Sequence, residues 1–373
     1  MKAIGIILAG GSAKKMKELV NKRAVAAEPV GGSFRAIDFA LSNMSNSHIQ
    51  KVAVLTQYNS RSLNEHLNSS KWWDFGRKNG GLFVFTPTIT PEHSDWSRGT
   101  IDTMYQNLDF LQRAHEPYVV IAQGDGIYKL DYNKVIEYHI EKGADITMVC
   151  KQMNEVDDIS RYGVVTTDED GRITDFEEKP ISSDNMFVNC GIYVIRRRLL
   201  IELIEKSIAE EKMDFVNDII AKYRNYKKIY AYTLTSYWNN ISSVESYFKT
   251  NMDFLKPEVR KEFYSEYPSI YTKVDDLPPA KYNEGCDVKN SLIASGCIVN
   301  GTVEDSVIFK KVYIGNGVII KNSVILNEVY IGDNTVIENC IVESRSTLPA
   351  DTKYTGDSKE PTIVVVKGER YSI

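Results

Sequence analysis

The sequence predicts an α/β chain in which a Rossmann-like domain precedes a C-terminal left-handed parallel β-helix. Two observations carry this prediction: strands alternate with amphipathic helices over residues 1–250, and short apolar phrases recur at a fixed interval after residue 288. Residues 251–287 between them are charged and contain four prolines, which predicts a linker. A length of 373 residues fits two domains, 1–250 and 288–373.

The first domain shows the alternation of a doubly wound sheet. The apolar runs that predict strands are Ala3–Leu8, Val52–Thr56, Tyr118–Gln123 and Ile146–Cys150. Helical spacing begins at Asp38 and covers Thr100–Ala114 and Tyr132–Lys142. Such alternation implies a mostly parallel sheet covered on both faces, with ligands at the carboxyl ends of the strands. The later part of this domain changes to short β-runs, which are Tyr162–Thr167, Phe187–Ile195 and Ile229–Leu234.

The C-terminal region contains an internal repeat of 17 residues. The phrase Ser306-Val307-Ile308 recurs as Ser323-Val324-Ile325 and again as Cys340-Ile341-Val342. Each block divides into three faces of roughly six residues, which indicates one coil of a hexapeptide β-helix. A β-sandwich with evenly spaced hairpins is the alternative, but the recurrence of whole phrases favours the β-helix.

Composition excludes several functional classes. The formal net charge is −5 with both signs interspersed, which argues against a nucleic-acid surface. No apolar run approaches the ~20 residues that a membrane span needs. The five cysteines are scattered without a C-x-x-C pair, so we expect buried thiols rather than disulfides or a zinc site. Because a strand begins almost at once, we expect no signal peptide and a cytoplasmic protein.

Two turns follow predicted parallel strands and are candidates for ligand binding. The first strand ends at Gly10-Gly11, and glycines there let the backbone approach a phosphate group closely. A glycine pair can also simply connect a strand to a helix. Asp125 follows another strand, where an aspartate without further context is read as the cap of a turn.

Several sequence blocks occur in a fixed order along the chain. They are Asn21-Lys22-Arg23-Ala24, the segment from Phe34 to Asn43, Thr56-Gln57-Tyr58, Arg98-Gly99-Thr100, the segment from Gly124 to Tyr128, and Glu178-Lys179-Pro180. Together they resemble the glucose-1-phosphate adenylyltransferases (ADP-glucose pyrophosphorylases) of glycogen synthesis, and the similarity continues into the C-terminal repeat. The resemblance implies a nucleotidyltransferase domain that joins glucose 1-phosphate to ATP with release of pyrophosphate. Catalysis of that kind rests on charge neutralisation and alignment.

The resemblance also implies an ATP and Mg²⁺ site, from which this chain departs at four positions. Ser12 and Lys15 replace arginines of the glycine loop, and Val25 replaces a phosphate-facing lysine. Asp125 matches one metal-binding aspartate, whereas Asn240 stands where the family has the other. An amide brings no negative charge, and Mg²⁺ prefers carboxylates. If each departure removed only ~2–3 kcal/mol of transition-state stabilisation, the sum would exceed ~10⁵ in rate. We expect little catalysis and weakened Mg²⁺ binding, at Asp125 if anywhere.

The positions implied to bind the sugar phosphate retain more of the family's residues than the positions implied to bind ATP and Mg²⁺. The positions that match the family's substrate-binding residues are Gly10 and Gly11 in the glycine loop and, on the sugar side, Glu178, Lys179, Gly191, Asp214, Phe215 and Trp238. Without the resemblance, Glu178-Lys179 would be read as a solvated charge pair. Lys22 and Arg23 match the family's region for anionic effectors, and Gln57 and Trp96 match its signal-transmitting loops. Packing of surface loops is the alternative for these last four residues.

The resemblance implies a non-catalytic or weakly active regulatory subunit of glucose-1-phosphate adenylyltransferase, closest to the GlgD-type subunits of glycogen synthesis. Its expected partner is a catalytic subunit in a heterotetramer, and its expected ligand is a sugar phosphate or a nucleotide. No nucleic-acid or membrane partner is expected. Two alternatives stay open. In the first alternative the chain is a slow but genuine adenylyltransferase, and in the second it is a free-standing sugar-phosphate sensor.

Overall fold

The described chain consists of two compact units. The computed structural model describes residues 2–11, 14–76, 80–87, 97–154 and 158–366. The first unit comprises residues 1–12 and 39–238, and the second comprises residues 13–38 and 239–373. Ser12 and Trp96, two positions singled out above, lie outside the described residues.

Nine of the described strands form the sheet of the first unit. They are β1 (Ala3–Ala9), β2 (Lys51–Thr56), β3 (Gly81–Phe85), β4 (Tyr118–Gln123), β5 (Ile146–Gln152), β6 (Gly163–Thr167), β7 (Ile173–Glu178), β8 (Phe187–Arg196) and β9 (Ile229–Thr233). The strand order is β7-β6-β8-β4-β1-β2-β3, and β5 pairs with both β8 and β9. β1 is parallel to β2 and β4, and it is buried along nearly its whole length. Central parallel strands of this kind read as continuous apolar runs.

The sheet is mixed rather than mostly parallel. β8 runs antiparallel to β4, β5 and β6, and β7 runs antiparallel to β6. The prediction of parallel strands therefore holds around β1 and fails around β8. The short β-runs predicted between residues 162 and 232 correspond to this antiparallel part, where a turn of a few residues joins β6 to β7. Only antiparallel neighbours can be joined so tightly.

Helices alternate along the chain with the strands of the first unit. Apart from short 3-10 turns, the helices that begin before residue 238 are Ala36–Asn46, Arg61–Leu67, Thr100–Gln106, Leu108–Gln112, Tyr132–Glu141, Arg197–Ala209 and the π-helical Val216–Ala221. One helix was predicted over Thr100–Ala114, but the structure has two. Asn107 interrupts it because its side-chain amide donates to the carbonyl of Thr103 at 2.9 Å, a local bond that competes with helix continuation.

The second unit contains two helices of its own, Val244–Asp253 and Pro257–Tyr264. Ser243 caps the first of them with a reciprocal capping box to Ser246. The stretch predicted as a linker, residues 251–287, is therefore not irregular throughout. It contains the helix that Pro257 starts, and its last residues already belong to the first coil of the β-helix. No described helix of either unit is long and apolar enough to cross a membrane.

Three parallel five-stranded sheets build the C-terminal part of the second unit, which confirms the predicted β-helix. Their strands are Lys281–Tyr282, Ile298–Val299, Tyr313–Ile314, Tyr330–Ile331 and Thr347–Leu348; Asp287–Lys289, Thr302–Glu304, Ile319–Lys321, Val336–Glu338 and Lys353–Thr355; and Leu292–Ile293, Val307–Ile308, Val324–Ile325, Cys340–Val342 and Thr362–Val364. The repeat sets the register. Tyr313 lies opposite Tyr330 with ring centroids 4.8 Å apart. The backbone N–H of Ser323 donates to the hydroxyl of Ser306 at 3.1 Å.

Candidate functional site

The glycine turn after β1 lies against the end of β2. A Cβ placed on Gly10 would be 3.0 Å from the Cβ of Gln57, whereas one on Gly11 would meet nothing within 4 Å. Gln57 in turn donates from Nε2 to the carbonyl oxygen of Ser97 at 2.9 Å. The structure therefore brings Gln57 close to Gly10 and to Ser97. Gly11 is exposed, so its backbone is accessible to a ligand.

Asp125 lies directly beyond the carboxyl end of β4. The N–H of Gly124 donates to the carbonyl oxygen of Leu8 at 2.9 Å, which fixes this turn beside β1. The Oδ1 atom of Asp125 is buried and has no hydrogen-bond partner among the described residues. Burial raises the pKa of the carboxyl group, against a hydrogen bond from its own backbone and the attraction of Arg161. A buried carboxylate oxygen without a partner is costly unless a cation or a donor completes the site.

Glu178 and Lys179 form a turn at the end of β7. Lys179 has a φ of 53°, and its N–H donates to the carbonyl oxygen of Tyr162 at 3.0 Å. The ammonium group of Lys179 lies 3.2 Å from Oε1 of Glu178. The Glu178 side chain is 19% exposed and that of Lys179 62% exposed, so the glutamate faces inward and the lysine faces solvent. Burial raises the pKa of Glu178, and Lys179 opposes this rise.

Gly191 forms a bulge in β8 that only a glycine accommodates. The pairing of β8 with β5 shifts between Asn189 and Ile192, and Gly191 has a φ of 70°. A Cβ at Gly191 would be 2.6 Å from Cδ of Gln123. Asn189 holds the bulge, because its Oδ1 accepts the N–H of Gly191 at 2.9 Å and its amide donates to the hydroxyl of Tyr193 at 2.7 Å. A side chain at position 191 would therefore clash with Gln123, and the glycine avoids that clash.

Two predicted wall residues have structural roles as well. The N–H of Phe215 donates to the hydroxyl of Thr100 at 2.8 Å, and its ring packs on Tyr193 with centroids 5.1 Å apart. Oδ1 of Asp214 accepts the N–H of Asn217 at 2.7 Å, so this carboxylate caps the π-helical turn. Asp214 also lies close enough to Glu178 to raise the pKa of that glutamate.

Trp238 is almost fully buried and offers an unused donor. Its ring lies against Tyr162 with centroids 5.6 Å apart, and its indole Nε1 has no hydrogen-bond partner in the described part of the chain. An indole N–H is normally paired when buried, so this donor is unsatisfied within the described part of the chain. The first unit thus presents an unpartnered acceptor on Asp125 and an unpartnered donor on Trp238.

Gln123, Tyr162 and Tyr193 are contacts that the sequence interpretation did not single out. Gln123 fills the space that a side chain at position 191 would need, and the two tyrosines pack on predicted wall residues. The signal for Gln123 was present, since it is the last residue of β4 and ligands gather at the carboxyl ends of parallel strands. No sequence pattern indicated the tyrosines, because their contacts join strands far apart along the chain.

The remaining predicted positions belong to the second unit. Lys15 is exposed in the 3-10 helix Lys14–Asn21, and Val25 is buried in the short turn Val25–Ala27. Oδ1 of Asn240 accepts a hydrogen bond from the hydroxyl of Ser242 at 3.4 Å. Among the described residues of the chain, no group of three or more histidine, cysteine, aspartate and glutamate side chains is arranged to hold a metal ion.

The two predicted effector residues have different environments. Lys22 is exposed, whereas the side chain of Arg23 is only 13% exposed and contacts two carboxylates. Its Nη2 donates to Oε1 of Glu343 in a short hydrogen bond, and its Nη1 lies 3.8 Å from Oε2 of Glu28. Arg23 is therefore occupied by carboxylates of its own unit rather than open to an anion.

Glu28 is the most buried carboxyl group of this cluster. Its exposure is 0%, and neither of its side-chain oxygens has a hydrogen-bond partner among the described residues. Removal from water raises the pKa of Glu28 to about 8, against the attraction of Arg23, and Glu343 adds to the rise. No local sequence pattern indicated this cluster, because Glu343 lies more than three hundred residues from Arg23 along the chain.

Comparisons with known proteins agree with this architecture. Residues 4–257 match the nucleotidyl transferase family, and residues 278–362 match the GlmU-like C-terminal hexapeptide family. The glucose-1-phosphate adenylyltransferase of Thermosipho melanesiensis is 38% identical over 320 residues, covering 85% of this chain and 77% of that protein. The enzyme of the same name from Clostridium perfringens (strain 13 / Type A) is 38% identical over 322 residues, covering 86% and 82%.

The same enzyme of Clostridium acetobutylicum is 39% identical over 320 residues, covering 85% of this chain and 84% of the relative. Similarity therefore extends through both the sheet-containing domain and most of the β-helix. The chain belongs to the glucose-1-phosphate adenylyltransferase family.

Proposed function

We propose that this chain is a GlgD-type regulatory subunit of glucose-1-phosphate adenylyltransferase, with little or no catalytic activity of its own. The proposal rests on one observation. Some positions implied to bind ATP and Mg²⁺ have lost their charged side chains, whereas the positions implied to bind the sugar phosphate keep theirs. Asn240 supplies a neutral amide that already bonds the hydroxyl of Ser242, and Val25 is a buried apolar side chain. Neither residue can neutralise the charge of a triphosphate. Activity that depends on charge neutralisation would be low in consequence.

The sugar-phosphate side supports a role in ligand binding. Lys179 keeps an exposed ammonium group beside the inward-facing Glu178, and Gly191 keeps its backbone bulge. Trp238 adds an unpartnered indole donor. A hydroxyl-rich ligand with one phosphate group, such as glucose 1-phosphate, would find a cation, an acceptor and a donor on these residues. We therefore propose that the chain binds the sugar phosphate without transferring a nucleotide to it.

Mg²⁺ fits the residues only in part. Asp125 provides one carboxylate with an unpartnered oxygen, the kind of ligand that Mg²⁺ prefers. When bound, the metal would neutralise charge on the phosphate groups of a nucleotide. The family's second metal position carries Asn240 in this chain, and because an amide oxygen has no negative charge, we propose that the metal affinity is reduced. Asp125 alone would still orient a bound cation beside the turn that follows β4.

A slow but genuine adenylyltransferase is the second candidate, and Asp125 favours it. A buried, unpartnered carboxylate costs stability, and a chain that never binds a cation gains nothing from that cost. Pyrophosphate release from ATP and glucose 1-phosphate by the purified chain separates the two candidates. We expect negligible turnover, whereas a rate above ~1 s⁻¹, within the ordinary enzyme range, would establish the second candidate.

The regulatory role is tested by adding a catalytic homologue to this chain. We expect the two to form a mixed heterotetramer whose rate or effector response differs from that of the homologue alone. Regulation requires that this chain bind one functional state of its partner more tightly than the other. Size-exclusion chromatography with kinetics on the mixed sample provides the measurement. Separate elution of the two chains with unchanged kinetics would contradict the proposal.

A further inference from the structure

A cavity of about 540 Å³ opens on the first sheet of the β-helix. Its floor includes Ile298 and Tyr330 of this sheet, and one wall is the segment Leu277–Pro279. All its lining residues belong to the second unit. Its volume lies in the range of pockets that hold small organic ligands, roughly 300–1,000 Å³. None of the substrate residues described above lines this cavity.

The coil repeat explains why the cavity exists. Lys311, Glu328 and Arg345 occupy the same corner in successive coils, each two residues before its strand and each with a φ between 57° and 63°. The equivalent position in the preceding coil is Gly296, which also has a positive φ, of 78°. Because Gly296 has no side chain, the row of corner side chains stops there and leaves an opening.

The wall of the cavity is held in place before any ligand binds. The carbonyl oxygen of Pro278 accepts the N–H of Gly296 at 2.7 Å, and the N–H of Lys281 donates to the carbonyl oxygen of Cys297 at 2.8 Å. Earlier in the same segment, Asp275 forms a salt bridge of 3.0 Å with Lys310. Proline restricts the backbone of this wall further. A preformed wall reduces the ordering cost of binding.

The charges around the cavity are unbalanced. Glu328 pairs with Arg345 at 3.0 Å between Oε2 and Nε. The other two cations on the cavity, Lys281 and Lys311, form no salt bridge with any residue that the structure describes, although Lys311 lies near enough to Asp275 to help lower the pKa of that carboxyl group. Three cations and one anion thus meet here on a chain whose overall net charge is −5. The excess positive charge favours an anionic ligand.

We propose that this cavity binds a small organic anion, a phosphate monoester or a carboxylate with a mainly apolar body. Lys281 and Lys311 would receive the anionic group, and Leu277, Pro278 and Ile298 would cover the apolar part. A free inorganic ion is too small to use the apolar wall. A ligand without charge would leave both ammonium groups unused. The inference goes beyond the proposed function and does not depend on it.

Isothermal titration calorimetry with phenyl phosphate and with benzoate tests the proposal, and inorganic phosphate and phenol serve as fragment controls. We expect one or both aromatic anions to bind at least about tenfold more tightly than either fragment, because each fragment makes only half of the contacts. The aromatic anion that binds more tightly shows whether the site takes a phosphate monoester or a carboxylate.

The double variant Lys281→Gln/Lys311→Gln should weaken binding of the aromatic anion by about tenfold or more, since charge-assisted contacts are lost. The matched control Lys289→Gln/Lys321→Gln removes two lysines from the second sheet of the β-helix and should leave binding unchanged. The variant Thr347→Trp should block the cavity without changing charge, and a tryptophan is well tolerated in a strand. Circular dichroism confirms that each variant is folded.

Three results would overturn the proposal. The first is that neither aromatic anion binds the unmodified chain. The second is that both lysine double variants weaken binding equally, which would indicate a general charge effect. The third is that Thr347→Trp binds as well as the unmodified chain, which would place the anion elsewhere on the surface.

Discussion

Replacing Glu28 with glutamine should make the stability of the protein less dependent on pH. The carboxyl group is fully buried, and burial raises its pKa in the folded state from 4.5 to about 8. The folded state therefore holds this proton more tightly than the unfolded state does. Its stabilising contribution is complete below about pH 4.5 and is lost as the pH rises toward 8. Glutamine keeps the shape but cannot ionise.

The size of the effect follows from the pKa difference. Stability falls by about 1.4 kcal/mol per pH unit while the unfolded carboxyl is ionised and the folded one is not. Between about pH 5.5 and about pH 8.5 the loss is on the order of 3 kcal/mol, which Glu28→Gln should remove. The surrounding groups contribute to the folded-state pKa of Glu28. Arg23 and Arg35 favour the ionised carboxylate and lower this pKa, whereas Glu343 disfavours the carboxylate and raises it. The Glu28 carboxylate in turn raises the pKa of Tyr247.

Urea unfolding followed by circular dichroism at these two pH values provides the assay, with Glu258→Gln as an exposed helical control. We expect the variant and the unmodified chain to have similar midpoints at the lower pH, and the variant to be more stable at the higher pH. Equal midpoint differences at both pH values would refute the reasoning. Glu343→Gln should be destabilising instead, because it removes the closest partner of Arg23.

Two further predictions concern the substrate residues. Gly191→Ala should destabilise the first unit by about 1–3 kcal/mol and weaken glucose 1-phosphate binding in calorimetry. Gly143→Ala is the control, because Gly143 also has a positive φ but its added Cβ would meet no atom within 4 Å. That variant should therefore carry only the cost of the strained backbone conformation. Restoring the four family side chains together should raise pyrophosphate release by more than the product of the single effects, because residues that act as a unit are non-additive. The four changes are Ser12→Arg, Lys15→Arg, Val25→Lys and Asn240→Asp. Adding Asp125→Asn to them should abolish the gain, and a gain indifferent to Asp125 would mean that the metal position is misassigned.

The sequence determined the architecture because its signals are local and periodic. An unbroken apolar run predicted β1, and a repeat of 17 residues predicted the coils that place Tyr313 against Tyr330. Both patterns reflect which side chains must leave water, a requirement that neighbouring residues express directly. The family motifs likewise indicated Asp125 and Gly191 as site residues by their position after or within strands.

Only the tertiary structure decided which side chains meet across the chain. The direction of β8 depends on pairing with β4 and β5, and no residue pattern within β8 states it. The contact of Arg23 with Glu343, the place of Gln123 where a side chain at position 191 would lie, and the oxygen of Asp125 without a described partner are of the same kind. Burial and hydrogen-bond satisfaction depend on neighbours that are distant in sequence, so they appear only when the chain is folded.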